Sequence, residues 1–228
     1  MAIQVAIDGP AGAGKSTVAR SVARQLQVAY VDTGAIYRSL TWEALRRGVS
    51  LDSERTLGDL AVELKIEFIP NDEQQKVWVR GEDLTEAIRM PVISANVAKV
   101  AAYPLVRERL LAIQRTLAEG AGGVVMDGRD IGTRIMPHAD VKVFLTASAG
   151  VRAKRRYDEL VEQGHALELP QVLEELEDRD RTDQSRQVAP LRPAADAVVL
   201  DTSPLSVEEV CAMVVALCEI RSRNKEGR

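Results

Sequence analysis

Cysteine and histidine are scarce in this sequence, at two of each in 228 residues. Cys211 and Cys218 lie seven apart in an amphipathic helical pattern, where both face one side and cannot bond each other without distortion. A disulfide scaffold is thereby excluded, and the pair reads as small buried apolar side chains. His138 and His165 belong to no motif and read as structural or surface residues. No apolar run is long enough to cross a bilayer, and the chain enters a strand pattern at once in place of the charged and apolar segments of a secretory leader. A cytoplasmic protein without a membrane partner is expected. Basic excess is lacking too: 30 Lys and Arg against 34 Asp and Glu leave a formal net charge of -4, which argues against a surface that coats nucleic acid. What is present, 46% hydrophobic and 28% charged residues, suits one sizeable domain with a small insertion.

One stretch organises the rest. Gly9-Pro10-Ala11-Gly12-Ala13-Gly14-Lys15-Ser16-Thr17 fits GxxxxGK[ST] in full. Before it, Ile3 to Ile7 has strand propensity; after it, Val18, Ala19, Val22, Ala23 and Leu26 recur at helical spacing. A strand, a glycine loop and a helix in that order point backbone N–H groups and a helix N-terminus at an anion. Lys15 is expected to reach the β- and γ-phosphates of a nucleoside triphosphate, and the Ser16 hydroxyl to ligate Mg²⁺.

A second βα unit follows, with Val28 to Val31 as strand and a helix running to about Arg47. Asp32, Thr33 and Arg38 fall at the carboxyl end of that strand, where open α/β sheets place ligands. Asp32 and Thr33 are equally suited to capping the helix, whereas Arg38 opposes the helix dipole unless an anion is near. The rhythm then breaks: Lys65 to Ile69 and Lys76 to Arg80 alternate as two strands joined by a polar turn at 71–75. A hairpin between parallel-sheet units implies an inserted subdomain at about 60–100 that closes over a substrate.

From Pro104 a long helix carries Arg107 and Arg109 near its start. Gly123 to Met126 is a third strand and runs into Asp127-Gly128-Arg129-Asp130, an apolar strand ending in Asp that resembles the Mg²⁺-associated carboxylate of phosphoryl-transfer enzymes. Val141 to Leu145 and Ala197 to Leu200 complete an α/β fold of the P-loop NTPase type, a five-stranded parallel sheet with helices on both faces. Ser206 and Glu209 form a capping box for the last helix. Between the last two strands Arg152, Lys154, Arg155 and Arg156 precede a second helix ending in Arg179, Arg181 and Arg186. Glu174, Glu175 and Glu177 suit solvated ion pairs, while the arginines suit a lid that neutralises charge during phosphoryl transfer. That favours a kinase over a switch.

IDGPAGAGKST, DTGAIYR, VAAYPLVRERL, DGRDIGT and DRDRTDQSRQVAPLRPAADAVVLDTS together resemble the bacterial cytidylate kinases, a group of nucleoside monophosphate kinases, in the right order over essentially the whole chain. The resemblance implies transfer of the γ-phosphate of ATP to CMP or dCMP with Mg²⁺, in a monomer without nucleic-acid partners. It implies a core of 1–59, 101–148 and 190–228, an enlarged monophosphate-binding insert at 60–100, and an arginine-rich lid at 149–189. It places the acceptor phosphate near Thr33, Arg38 and Arg129, with Tyr37 beside the nucleotide, Arg107 and Asp130 on the cytosine, and Asp183, Arg179 and Arg186 on ribose and phosphate. Lys15, Arg129, Arg155 and Arg186 are expected to act on the transferred group, with Ser16 and Asp127 toward the metal. Ala98 stands where relatives often carry a hydroxyl residue, which leaves Ser94 or Asn96 as substitutes, and Thr182 stands where some carry another arginine.

Two other readings compete. One is a P-loop kinase for another small acceptor such as UMP or shikimate, against which the insert and the Arg107/Asp130 pair weigh. The other is a nucleotide-dependent switch, against which the sequence offers no guanine-reading [NT]KxD motif.

Overall fold

A computed structural model describes residues 3–226 apart from 70, 72–74, 121, 163 and 165, so His165 and the centre of the expected 71–75 turn lie outside the described residues. β1 (Gln4–Asp8) leads into α1 (Lys15–Leu26), and β2 (Ala29–Asp32) into α2 (Thr33–Arg46). Next, α3 (Glu54–Val62) precedes β3 (Ile66–Ile69), β4 (Lys76–Val79) and β5 (Glu82–Asp83), then a 3₁₀ turn at Ala87–Arg89, α4 (Pro91–Ala102) and α5 (Pro104–Ala118). After β6 (Val124–Gly128) come a π-helical turn at Ile131–Ile135, β7 (Val141–Thr146), α6 (Ala149–Glu162), α7 (Leu169–Ser185), β8 (Val198–Asp201) and α8 (Val207–Glu226).

The main sheet has the order β2-β6-β1-β7-β8 and is parallel throughout. Each strand lies within two residues of its sequence expectation at either end. Alternation along β1 divides the core. Val5 and Ile7 pack with Val143 and Leu145 against α1 and α8, where Cys211 and Cys218 are both buried, free thiols. Ala6 faces the other side with Val31 and Met126, against α5 and the π-helical turn. Helices therefore cover both faces, and the strand ends meet at one edge. Burial pushes the Cys218 thiol up to about 12, which fits an unreactive core residue.

β3, β4 and β5 form a separate antiparallel sheet. Its Val77 and Val79 share an apolar core with Leu40 of α2, Leu57 of α3, Val97 of α4 and Leu110 of α5. The hairpin thus rests on α2, α3, α4 and α5, with α3 running across position 60. Glu43, buried on α2, is held by Arg46 and Arg47 and faces Arg80 of the hairpin turn, which ties the small sheet to α2.

Candidate active site

The glycine loop sits at the carboxyl end of β1, in the centre of the sheet. Gly14 caps α1 in a left-handed conformation, φ 82°, with no side-chain cap, so the first N–H groups of α1 are left for an anion. Gly12 permits a close approach: a Cβ there would lie 3.0 Å from Arg152 Cβ on α6. Arg152 is buried and donates to Ala11 O at 3.0 Å and Ala147 O at 3.0 Å while pairing with Asp180 of α7 at 2.6 Å. A single guanidinium on α6 therefore joins the loop to α7. Lys15 curls over its own loop, its Nζ donating to Pro10 O at 2.7 Å. Burial, and then the Arg129 cation, push its ammonium down to about 7, a cost that phosphate oxygens would relieve.

Beside Lys15, Ser16 Oγ donates to Asp127 Oδ2 at 2.9 Å and Tyr30 Oη donates to Asp127 Oδ1 at 2.8 Å. Burial, next the neighbouring Asp32, raise the Asp127 carboxyl to about 6. β2 and β6 are parallel neighbours in which Asp32 pairs with Asp127, so the two strand ends deliver two carboxylates side by side.

Across the cleft, α2 and β6 supply the second group of residues. Asp32 accepts from Ala35 N at 3.1 Å, as a helix cap does, and also pairs with Arg38. Thr33 Oγ1 donates to Asp127 O at 2.8 Å. Arg107, buried on α5, donates to Asp130 Oδ1 at 2.6 Å and to Ala101 O at 3.1 Å, and lies 5.3 Å from the centroid of the Tyr37 ring. Arg129 Nε donates to Asp183 Oδ2 at 2.7 Å, and Arg186 pairs with the other oxygen of the same carboxylate. Arg179 is half-buried near Asp183, and desolvation and the Arg129 charge hold its guanidinium down to about 10. The Nε atoms of Arg38, Arg107, Arg179 and Arg186 are buried with no hydrogen-bond partner. Four orphan donors around one space call for an acceptor-rich ligand.

Apart from Arg152 and Asp180, these side chains line one cleft of about 810 Å³, from Ala11 through Thr17 on one side to Thr33, Tyr37, Arg38, Arg107, Arg129, Asp130, Arg179, Asp183 and Arg186 on the other. Gly9 and Pro10 do not line it. Arg155 also lines it, but at the loop end, with its guanidinium donating to Thr202 O at 2.6 Å and Thr202 Oγ1 at 3.0 Å. The basic residues of α6 and α7 do not all turn toward the cleft. Arg181 is exposed and pairs with Asp178 one turn away, Lys154 pairs with Asp158, and Arg156, though at the cleft rim, pairs with Glu159. Arg181 and Lys154 are exposed, and each of the three has a partner one turn along its own helix. Thr182 likewise bonds its own helix, at Asp178 O. Of the two hydroxyl or amide substitutes near Ala98, Ser94 lines the cleft whereas Asn96 does not and donates to Val92 O at 2.8 Å.

Sequence reasoning passed over Tyr30, Gln75, Arg89 and Asp180. Gln75, at the start of β4, bonds the backbone of β2 at Tyr30 O and Asp32 N, joining the small sheet to the edge of the large one. No spacing rule marks these residues, because each acts through a contact between elements far apart in sequence.

The model of the cytidylate kinase family matches residues 5–220 of the chain. A cytidylate kinase of Geobacillus thermodenitrificans is 50% identical over 219 residues, covering 96% of this chain and 97% of that protein. One from Desulfitobacterium hafniense is 50% identical over 215 residues, covering 94% and 92%. A crystal structure of an uncharacterised protein from Eubacterium ventriosum shares the fold, with a TM-score of 0.53 at 12% identity over 94% of this chain and 96% of that one. The family-model match over residues 5–220, with half of the residues identical to these relatives over nearly the full length of both chains, places this chain in the cytidylate kinase family.

Proposed function

We propose that this chain transfers the γ-phosphoryl group of ATP to the phosphate of CMP or dCMP, giving ADP and CDP or dCDP. The observation that carries the reading is the charge balance opposite the glycine loop. Arg129, Arg179 and Arg186 surround the one carboxylate of Asp183, and Arg129 and Arg179 add to the burial that depresses the Lys15 ammonium. Three guanidinium groups against one carboxylate leave a buried positive excess, which suits a site where two phosphate chains meet.

Residues Gly9 to Thr17 hold the triphosphate, and Lys15 bridges donor and transferred group. Thr33, Arg38 and Arg129 receive the acceptor phosphate. Arg107 and Asp130 read the cytosine, which offers acceptors at N3 and O2 and an amino donor; the free Nε of Arg107 and the second oxygen of Asp130 match that set. Arg179, Asp183 and Arg186 take ribose and phosphate, and Arg155 stands on the donor side.

Ser16 and Asp127 would hold Mg²⁺. A hydroxyl and a carboxylate 2.9 Å apart are hard oxygen donors, and with no group of three or more His, Cys, Asp or Glu among the described residues, the remaining ligands would be phosphate and water. When bound, the ion supplies neutralisation of phosphate charge.

The acceptor oxygen is already anionic, so it forms its bond to phosphorus as the bridging oxygen leaves with ADP, and no base has to remove a proton. Residues 60–100 and 149–189 close over the substrates and keep water out, which prevents hydrolysis from competing. Small diffusible nucleotides suit a cytoplasmic monomer, and pyrimidine metabolism is the setting.

A coupled assay of ADP formation with ATP and each of CMP, dCMP, UMP, AMP and shikimate tests the reading. CMP or dCMP should raise turnover far above ATP hydrolysis. If no acceptor does, the kinase reading falls; if UMP equals CMP, the base assignment falls.

A further inference from the structure

Asp8 is the last residue of β1 and directly precedes the glycine loop. It is buried, at 4% exposure, and both carboxylate oxygens are used: Oδ1 accepts from Ile131 N at 2.8 Å and Oδ2 from Gly132 N at 2.8 Å. These amides open the π-helical turn at Ile131–Ile135, and the first N–H groups of a helical turn have no partner within it. That turn follows Arg129 and Asp130 without a break.

The main chain at Asp8 needs no help from the side chain, because in the central strand it stands in register between Gly128 of β6 and Phe144 of β7. The side chain serves the turn alone. Two amides 2.8 Å from two separate oxygens call for a carboxyl group, since an asparagine has only one oxygen. Gly132 keeps the contact tight: a Cβ there would lie 3.4 Å from Asp8 Oδ2 and 3.2 Å from Lys142 Cδ. A carboxyl group in the sheet interior costs stability, which a strand end needing only to pack would avoid with an apolar residue.

We propose that Asp8 is a positioning residue for the acceptor half of the site, holding Arg129 and Asp130 at a fixed distance from the donor loop through the two amides that follow them. This rests on assigning Arg129 and Asp130 to the acceptor. The loop itself stays anchored by β1, so the consequence is selective: loss of the clamp disturbs acceptor binding and alignment and spares ATP binding.

Asp8→Asn tests it, because the amide keeps the shape but turns an N–H group toward one of the two donors. Steady-state kinetics with CMP should give a KM at least fivefold higher and a kcat about tenfold lower. ATP binding titrated calorimetrically without acceptor should stay within twofold. An ATP Kd that rises as much as the CMP KM overturns the proposal, as does a variant with normal KM and kcat. Amide exchange in the unmodified protein covers the case in which the variant does not fold: the Ile131 and Gly132 amides should be as protected as those of β1, and exchange at loop rates overturns the clamp. Failure of CMP to stimulate turnover by the unmodified protein overturns the premise instead, and is told apart by leaving the two amides protected.

Discussion

Asp183 on α7 accepts a hydrogen bond from Arg129, just past the end of β6, 2.7 Å long, and so fastens α7 to the end of a strand of the main sheet. Its side chain is 1% exposed and lies among three arginines, of which Arg186 takes its other oxygen. The carboxylate is held in its charged form against the penalty of burial by Arg129, Arg186 and Arg179. Removing it leaves cations facing each other without water.

Asp183→Ala should therefore destabilise the fold by about 3 kcal/mol. Inorganic pyrophosphate should restore part of the loss, because its oxygens replace the missing counter-charge. The measurement is thermal unfolding with and without pyrophosphate, where the shift should be larger for the variant than for the unmodified chain. Equal shifts would mean that the arginine group does not sense phosphate.

Lys15→Ala should lower kcat about a thousandfold, in the range seen when one charge-stabilising donor is lost from a transition state. Stability should not fall, since the ammonium is already disfavoured by burial and by Arg129. Single-turnover kinetics and urea unfolding of the same preparation separate the two effects. A kcat near normal would remove Lys15 from the phosphoryl path.

Asp130→Ala should raise the KM for CMP at least tenfold with little change for ATP, and should also cost about 3 kcal/mol because Arg107 then keeps a buried charge without its partner. Comparing KM values for the two substrates decides the role. Equal losses would assign Asp130 to the metal or to the fold.

Much of the chemistry was legible in the sequence because it lies on short, contiguous patterns. The loop at 9–17, the strand ending in Asp127 and the alternating hairpin strands obey local rules of spacing, and the structure has the five parallel strands and the β3–β4 hairpin within two residues of the expected positions. β5 escaped because two residues are too few to display alternation, and α4 because its apolar positions follow a proline close behind the hairpin. The arginines of the lid region were legible as a cluster but not as individuals. Arg152 faces the loop and Arg181 faces solvent, and only the packing of α6 and α7 on Ala11 separates them.

The residues near Ala98 give a further test. Ser94 is one turn before Ala98 on α4 and lines the cleft, while Asn96 points away and bonds Val92 O. Ser94→Ala should raise the CMP KM by about fivefold, the worth of roughly one neutral hydrogen bond, and Asn96→Ala should leave it unchanged. The reverse pattern would show that α4 turns on binding. Ala98→Ser, which adds a hydroxyl to the cleft wall, should lower the CMP KM.

Asp8 makes stability depend on pH in a direction opposite to Asp183. Burial raises its carboxyl from 3.8 to about 7, so the folded chain holds a proton that the unfolded chain releases. Between those values the native state binds more protons, and stability from this group is present in acid and lost as pH rises toward 7. Asp183 and Asp32, both held low, are fully stabilising at neutral pH and lose that contribution as pH falls. Their effects cancel in a comparison of the unmodified chain with Asp8→Asn. The unfolding free energy of the variant minus that of the unmodified chain should therefore grow as pH increases from 5 to 8, toward a ceiling of about 4 kcal/mol. Urea unfolding at several pH values measures this difference directly. A flat difference would mean that Asp8 stays charged in the core throughout, with the Ile131 and Gly132 amides alone carrying its charge.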